Sequence, residues 1–404
     1  MLYKKKNKVI VLLLSILIGL FVDIKAINLS LFSVNEGEEG GLLAILYFIT
    51  VTFIVFLGYC FKRQHIKVHP WIVFWIFYIL FFYVITNTFI GPPRTKLPML
   101  CIFVVGSLLI PSLTTINAKW LIRAMMFWPS FAALYIEKVF AMQVDWKNSI
   151  PMELSYAFLV PIIASIMYLF FYYKNDRGIA KFAMTILVIV NSVFFSQLFL
   201  YGSRGPLLSL FSLLLFIYVV KKHKCHNGVF YKKWRLFFLL IFLVIMFVGF
   251  STVIRFGNEI LMSLGIDSRF FYKMIELDSQ GDVSNGRMSL NEITINGIMD
   301  SPWLGNGLDR FDANTGGGLY PHNFILQILY DGGVLFLGIL IPVIIHRLIR
   351  KYRTCNYDEY VVITMFLFCS VPGAMFSGNL YMLCILWMFF GVLFSDNFVC
   401  KQKV

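Results

Sequence analysis

The chain alternates long, unbroken apolar runs with short polar connections, with no residue-by-residue alternation inside the runs. About twelve runs approach the roughly 20 residues that an α-helix needs to cross about 30 Å of hydrocarbon. They are residues 9–22, with an apolar continuation to 32, then 41–61, 71–91, 97–117, 120–140, 153–173, 179–201, 205–220, 236–254, 323–345, 359–376 and 379–396. Segments of this length predict helices, because a membrane barrel shows alternating strands of about ten residues. The pattern predicts an all-α integral membrane protein of about 12 transmembrane helices, a single polytopic domain over residues 1–404.

Composition agrees with the pattern. Hydrophobic residues make up 59% of the chain and charged ones 14%, with a mean hydropathy of +0.79, more apolar surface than one globular core can hide. The polar connections divide by charge. Seven of them ("MLYKKKNK", "KRQHIK", "NAKW", "KNDRGIAK", "KKHKCHNGVFYKKWR", "HRLIRKYR" and "KQKV"), with Arg123, hold 24 of the 35 Lys and Arg residues. The opposite connections hold most of the acids, including "NEGEEG" at 35–40. The positive-inside bias therefore predicts two cytoplasmic termini. The net charge of +14 reflects that bias and attraction to anionic lipid, and gives no reason to invoke nucleic acid. The N-terminal run reads as an uncleaved first helix, because no small-residue cleavage site closes it. Of seven cysteines, none falls in an outer connection, so no disulfide framework is implied. "CHNGV" at 225 supplies one Cys and one His without a second pair and reads as a basic loop.

One connection departs from the rest. The segment 255–321, between helices 9 and 10 on the outer face, is far longer than a connection requires, and such loops are commonly functional. Within it 257–277 predicts an amphipathic helix on the membrane surface, and "SQGDVSNGR" a break. "RMSLNEITINGIMDSP" predicts a second helix with Ser284 or Asn285 as N-cap and Pro302 just past its end. "WLGNGLDRFDANTGGGLYPHN" reads as a glycine-rich, flexible hairpin over the outer mouth.

Ionisable groups in or beside a span are expensive and mark candidate sites. Arg204 lies in "LFLYGSRGPLLSLF", where Gly202, Ser203 and Gly205 surround it and Pro206 opens the next helix. Such a turn suits an anion such as phosphate, and an arginine snorkelling to the interface fits the same position. Arg287 has a similar setting at a glycine turn before a helix; Arg255 and Arg269 fit either headgroup anchoring or a site. His322 is one of six histidines and the only one in an outer connection. Tyr320 and Pro321 precede it, Asn323 follows, and its ordinary pKa suits proton exchange near neutrality. Asp331 lies on the same helix side as Gln327 at i, i+4 spacing and needs a partner if buried. No phosphate-loop, GxGxxG, HExxH or CxxC pattern is present, which disfavours ATP-driven transport and zinc hydrolysis.

Three segments in order, "YGSRGPLLSL", "GRMSLNEITINGIMDSPWLGNGLDRF" and "YPHNFILQILYDGGVLFLG", resemble the bacterial O-antigen ligase and polymerase superfamily of polytopic glycosyltransferases. The resemblance spans about 201–340. It implies a glycosyltransferase of the bacterial cytoplasmic membrane, its site facing the periplasm or exterior, acting on oligosaccharides linked to undecaprenyl pyrophosphate. It implies no sugar nucleotide, cofactor or metal, and pathway partners such as a flippase and a chain-length regulator. On this likeness Arg204, Arg287 and His322 are the expected catalytic set, with Ser203, Gly205, Arg255, Arg269, Tyr320, Asn323 and Asp331 lining the substrate. Polymerase is preferred, from the form of "YPHN" with "QILYDGG"; a ligase moving the finished chain to lipid A core is the alternative. Glu292 and Asp331 stand beside His322 as candidate proton acceptors. A transporter of lipid-linked glycan is the reading from another class, and it predicts internal symmetry that this chain does not display.

Overall fold

The computed structural model describes residues 9–22, 49–50, 52–54, 56, 68–93, 95–114, 116–127, 152–201, 204–222, 229–231, 250–280, 287–315, 320–376 and 380–395. Most of the helices expected at 236–254 and at 41–61 and the second half of 120–140 fall outside these residues. The described chain is mainly helical. Three helices are long and apolar enough to cross a membrane: α2 (Pro70–Ile90), α6 (Gly178–Tyr201) and α12 (Phe324–Thr354). Shorter helices pack with them: α1 (Val9–Val22), α3 (Leu97–Leu113), α4 (Ala118–Phe127), α5 (Met152–Phe171), α7 (Arg204–Val219), α13 (Tyr357–Ala374) and α14 (Cys384–Phe394). One feature departs from the all-α expectation. A short antiparallel ribbon, β1 (Val220–Lys222) with β2 (Val229–Tyr231), follows α7 and pairs Val220 with Tyr231.

The bundle buries aromatic and aliphatic side chains such as Phe158, Phe194, Tyr168 and Tyr360, and leaves Phe77, Phe81, Phe182 and Ile189 exposed for lipid. Phe158 of α5 stacks on Phe194 of α6 with centroids 4.9 Å apart. Beside them Asn191 donates to Ser165 Oγ at 2.9 Å and to the Met126 carbonyl at 3.3 Å, so a polar group in an apolar setting finds partners on two neighbouring helices.

α12 is longer than the expected 323–345. The basic "HRLIRKYR" continues the helix instead of forming a loop, because its cations dock on the end of α14. Arg347 Nε donates to the Leu393 carbonyl at 3.1 Å, and Lys351 Nζ to the Ser395 carbonyl at 2.7 Å and Glu359 at 2.5 Å. Positive side chains at the carbonyl end of a helix satisfy acceptors that have no partner within it.

The outer segment also differs from its expectation. In place of one helix over 257–277 there are two, α8 (Phe250–Ser263) and α9 (Arg269–Ser279). Gly265, at φ +69°, ends α8 in the left-handed conformation, with Ile266 N–H returning to the Leu261 carbonyl at 2.9 Å. Ser268 then caps α9 through the Phe271 N–H. The second expected helix forms as α10 (Arg287–Asp300), with Pro302 just past its end; Ser284 and Asn285 lie outside the described residues. After it, 302–311 is not a loose hairpin: Gly307, Leu308, Asp309 and Phe311 are buried, and a short helix α11 (Phe311–Thr315) closes the stretch.

Candidate active site at the α10–α12 corner

The site is built around a break in α12. Gly332 and Gly333 sit two turns into the helix, and Gly333 leaves helical geometry at φ +67°, ψ −174°. A broken helix strands backbone donors and acceptors, which in an apolar surrounding costs several kcal/mol per group, ~2–7. The segment 302–307 runs antiparallel across the break and satisfies them. Asn306 and Gly307 donate to the carbonyls of Tyr330 and Asp331 at 2.7 and 3.1 Å; Val334 and Leu335 donate to those of Pro302 and Trp303 at 2.8 and 3.4 Å. Glycine is required on both sides. A Cβ on Gly305 would sit 2.3 Å from the Asp331 carbonyl oxygen, and one on Gly333 2.3 Å from that of Trp303. The Pro-x-x-Gly-x-Gly and Asp-Gly-Gly motifs are thus the two halves of one backbone clamp.

Asp331 lies at the centre of this clamp, 1% exposed. Tyr381 Oη donates to its Oδ2 at 2.8 Å, while Oδ1 has no hydrogen-bond partner among the described residues. Gln327, one turn earlier, accepts the Leu380 N–H at 2.8 Å. The i, i+4 pair therefore shares a side, as its spacing predicts, and holds the 380–381 segment. Asp309, 3% exposed, accepts the Thr95 N–H through Oδ2 at 2.8 Å, and Leu308 N–H reaches Thr86 Oγ1 at 3.0 Å, so the clamp is also tied to α2 and to the start of α3. Arg310 donates to the Pro92 carbonyl at 2.8 Å.

Above the clamp the chain presents Tyr320, His322 and Asn323. Asn323 Oδ1 caps α12, accepting from Ile325 and Leu326 N–H at 2.9 and 3.2 Å. His322 is half-buried, its ring 4.4 Å from that of Tyr320, and its Nδ1 is enclosed with no hydrogen-bond partner among the described residues. Burial first, and then the Arg287 guanidinium, hold His322 below the ordinary histidine range. The imidazole is therefore neutral at neutral pH and able to accept a proton. His322, just before α12, and Arg287, the first residue of α10, thus lie near enough for the guanidinium to act on the imidazole.

The other expected residues occupy different settings. Arg204 is the first residue of α7 and half-buried; Ser203 lies outside the described residues. Gly205 faces protein: a Cβ there would lie 2.1 Å from Tyr156 Oη, so this glycine makes room for Tyr156, which donates to the Gly373 carbonyl at 3.2 Å. Ser268 Oγ donates to the Leu200 carbonyl at 3.1 Å and brings the backbone at Arg269 to the corner between α6 and α7. Arg255 pairs with Asp278 across the α8–α9 hairpin at 3.7 Å, mostly exposed. Glu292 projects to solvent from α10. Tyr381 and Tyr156 carry no motif in the sequence, and Asp309 lies in a quoted motif that does not mark it out; their roles arise from contacts across many residues.

Residues 193–341 match the family described as O-antigen ligase, a span that contains Arg204, the α8–α10 segment, the clamp and His322. No curated protein matches the chain.

Proposed function

From the O-antigen ligase family domain that residues 193–341 carry, we infer that this chain transfers a glycan from undecaprenyl pyrophosphate to a sugar acceptor, joining oligosaccharide repeat units as a surface-polysaccharide polymerase. The reading takes in the twelve-span topology of the sequence, with the α10–α12 corner at the outer face of the cytoplasmic membrane. The observation that carries it is the half-buried His322, its Nδ1 without a hydrogen-bond partner among the described residues and the Arg287 charge acting on it.

A hydroxyl of the acceptor attacks the anomeric carbon of the donor sugar, and the bond from that carbon to the pyrophosphate oxygen breaks. The bonding pair leaves with the pyrophosphate, and the hydroxyl proton passes to the neutral His322 imidazole. Charge grows on the leaving oxygens; the Arg287 guanidinium stabilises it, and Arg204, at the start of α7, is assigned the same task from the family likeness. His322 is favoured over Asp331, which the clamp seals, and over Glu292, which lies in solvent away from any orienting partner described. The energy of the lipid-linked bond replaces that of a sugar nucleotide.

The second reading is ligation of a finished chain to lipid A core, favoured by the ligase description of the matching family. Surface glycans of a deletion strain separate the two. Loss of a polymerase leaves single repeat units at the surface; loss of a ligase leaves long chains on undecaprenyl pyrophosphate. Complementation with Arg204→Ala, Arg287→Ala or His322→Ala is expected to lower chain growth by at least about 100-fold each, with the protein still in the membrane. Normal-length chains from all three variants would falsify the assignment.

A further inference from the structure

A second feature lies far from the α10–α12 corner in the chain. Between α4 and α6 runs a groove of about 290 Å³, floored by Ile16 of α1 and walled by Trp120, Ala124, Ala180, Ala183 and Met184. Its walls are almost wholly apolar, and Phe127, Phe182 and Ile186 beside it are exposed, so the groove opens onto the surface that meets hydrocarbon.

One end is cationic. Arg123 lies on the lining, its guanidinium 4.8 Å from the Trp120 ring centroid. Arg123 and Lys119 both reach Asp176, which also accepts from Tyr168 Oη at 2.8 Å. Asp176 is 5% exposed and saturated by three donors, yet Arg123 Nε stays buried with no hydrogen-bond partner among the described residues. Within 118–127 and 172–184, Lys119, Arg123, Lys174, Arg177 and Lys181 stand against Asp176 alone. An apolar slot ending in excess positive charge, on the side marked cytoplasmic by the basic connections, matches a lipid with an anionic head. Asp176 and Asp358 are each engaged, by Lys119, Arg123 and Tyr168 and by Tyr172, so the five cations outnumber the acids and a zwitterionic head fits less well.

We propose that the α4–α6 groove binds one anionic glycerophospholipid of the cytoplasmic leaflet, with an acyl chain between the helices and the phosphate on Arg123 and Lys119. The lipid wedges α4, α1 and α6 together beside the Arg123–Asp176 cluster. It is independent of the glycan chemistry.

The test uses the full chain, transferred from bilayers of equal phosphatidylglycerol and phosphatidylcholine and examined by native mass spectrometry. One retained phosphatidylglycerol, preferred over phosphatidylcholine by about fivefold or more, is the expected result. Ala183→Trp fills the slot without touching the Asp176 cluster and abolishes retention; Arg123→Gln lowers the preference about fivefold. Equal retention of the two lipids by the unaltered protein, or unchanged retention in Ala183→Trp, overturns the proposal.

Discussion

The guanidinium of Arg287 lies close enough to the imidazole of His322 to depress its basicity, adding to the larger effect of burial. The folded-state pKa is below the ordinary value of about 6.5, so the neutral, proton-accepting form persists into mildly acidic solution. Activity that depends on neutral His322 is therefore flat through neutral pH and falls as pH drops through that lowered pKa, the acid limb lying below about pH 6.5. Arg287→Gln removes one of the two depressing effects and moves the limb upward, toward the ordinary value. The pH profile of kcat/KM with a purified lipid-linked repeat unit checks both; a limb unmoved by Arg287→Gln would detach the two residues.

Gly333→Ala places a methyl against the Trp303 carbonyl and asks a residue with a Cβ to hold φ +67°, ψ −174°. The backbone conformation alone costs ~1–3 kcal/mol, and the collision adds to it. The expected outcome is a loss of at least about 2 kcal/mol, visible as a lower midpoint of thermal unfolding in detergent. Gly338→Ala, at an open helical position with nothing near its Cβ, serves as the control and leaves the midpoint nearly unchanged.

Tyr381→Phe strips Asp331 of its side-chain donor while leaving the carboxyl buried. A stranded buried acceptor costs ~1–3 kcal/mol, so this variant unfolds more readily than the parent. Replacing Asp331 by Asn in the Tyr381→Phe background costs less than the sum of the two single changes, because the second removes a group already stranded. A double-mutant cycle in unfolding free energy gives the coupling, and strict additivity would mean that the two side chains do not share a bond.

Asp176 gives a pH dependence of the opposite group type. Burial alone would raise its carboxyl, but hydrogen bonds from Lys119, Arg123 and Tyr168 outweigh that and hold it below the ordinary carboxylate range. A depressed folded-state pKa means that its stabilisation is fully present above the unfolded value of about 3.9 and is lost as pH falls through the lower folded value. Asp176→Asn is expected to cost ~3 kcal/mol at neutral pH. Stability curves of parent and variant should converge only below about pH 4; a constant gap down to strong acid would contradict the assigned cluster.

Much of this arrangement is legible in the sequence where the signal is local. α10 begins at Arg287 and stops before Pro302 because breaker and proline frame one short stretch. The i, i+4 placement of Gln327 and Asp331 follows from helix geometry alone, and the apolar runs mark α2, α6 and α12 as candidate spans. Reading failed where a single residue overrides a pattern, as Gly265 does in splitting one amphipathic run into α8 and α9. It failed also where the partner is remote. The cations of "HRLIRKYR" suit a solvated loop until the end of α14 supplies carbonyls. Tyr381 gave no signal and Asp309, though inside a quoted motif, gave none of its partner, since their bonds to Asp331 and Thr95 join positions 50 and 214 residues apart.

The clamp across Gly333 makes two stretches of chain into a matched key and ward. Residues 302–307 and 330–335 read each other's backbone through four hydrogen bonds, so an insertion in either shifts the register of both. A chimera that imports an outer segment from a relative will accordingly keep its corner intact only if the donor's Asp-Gly-Gly turn travels with it, however well the rest of the helix is preserved.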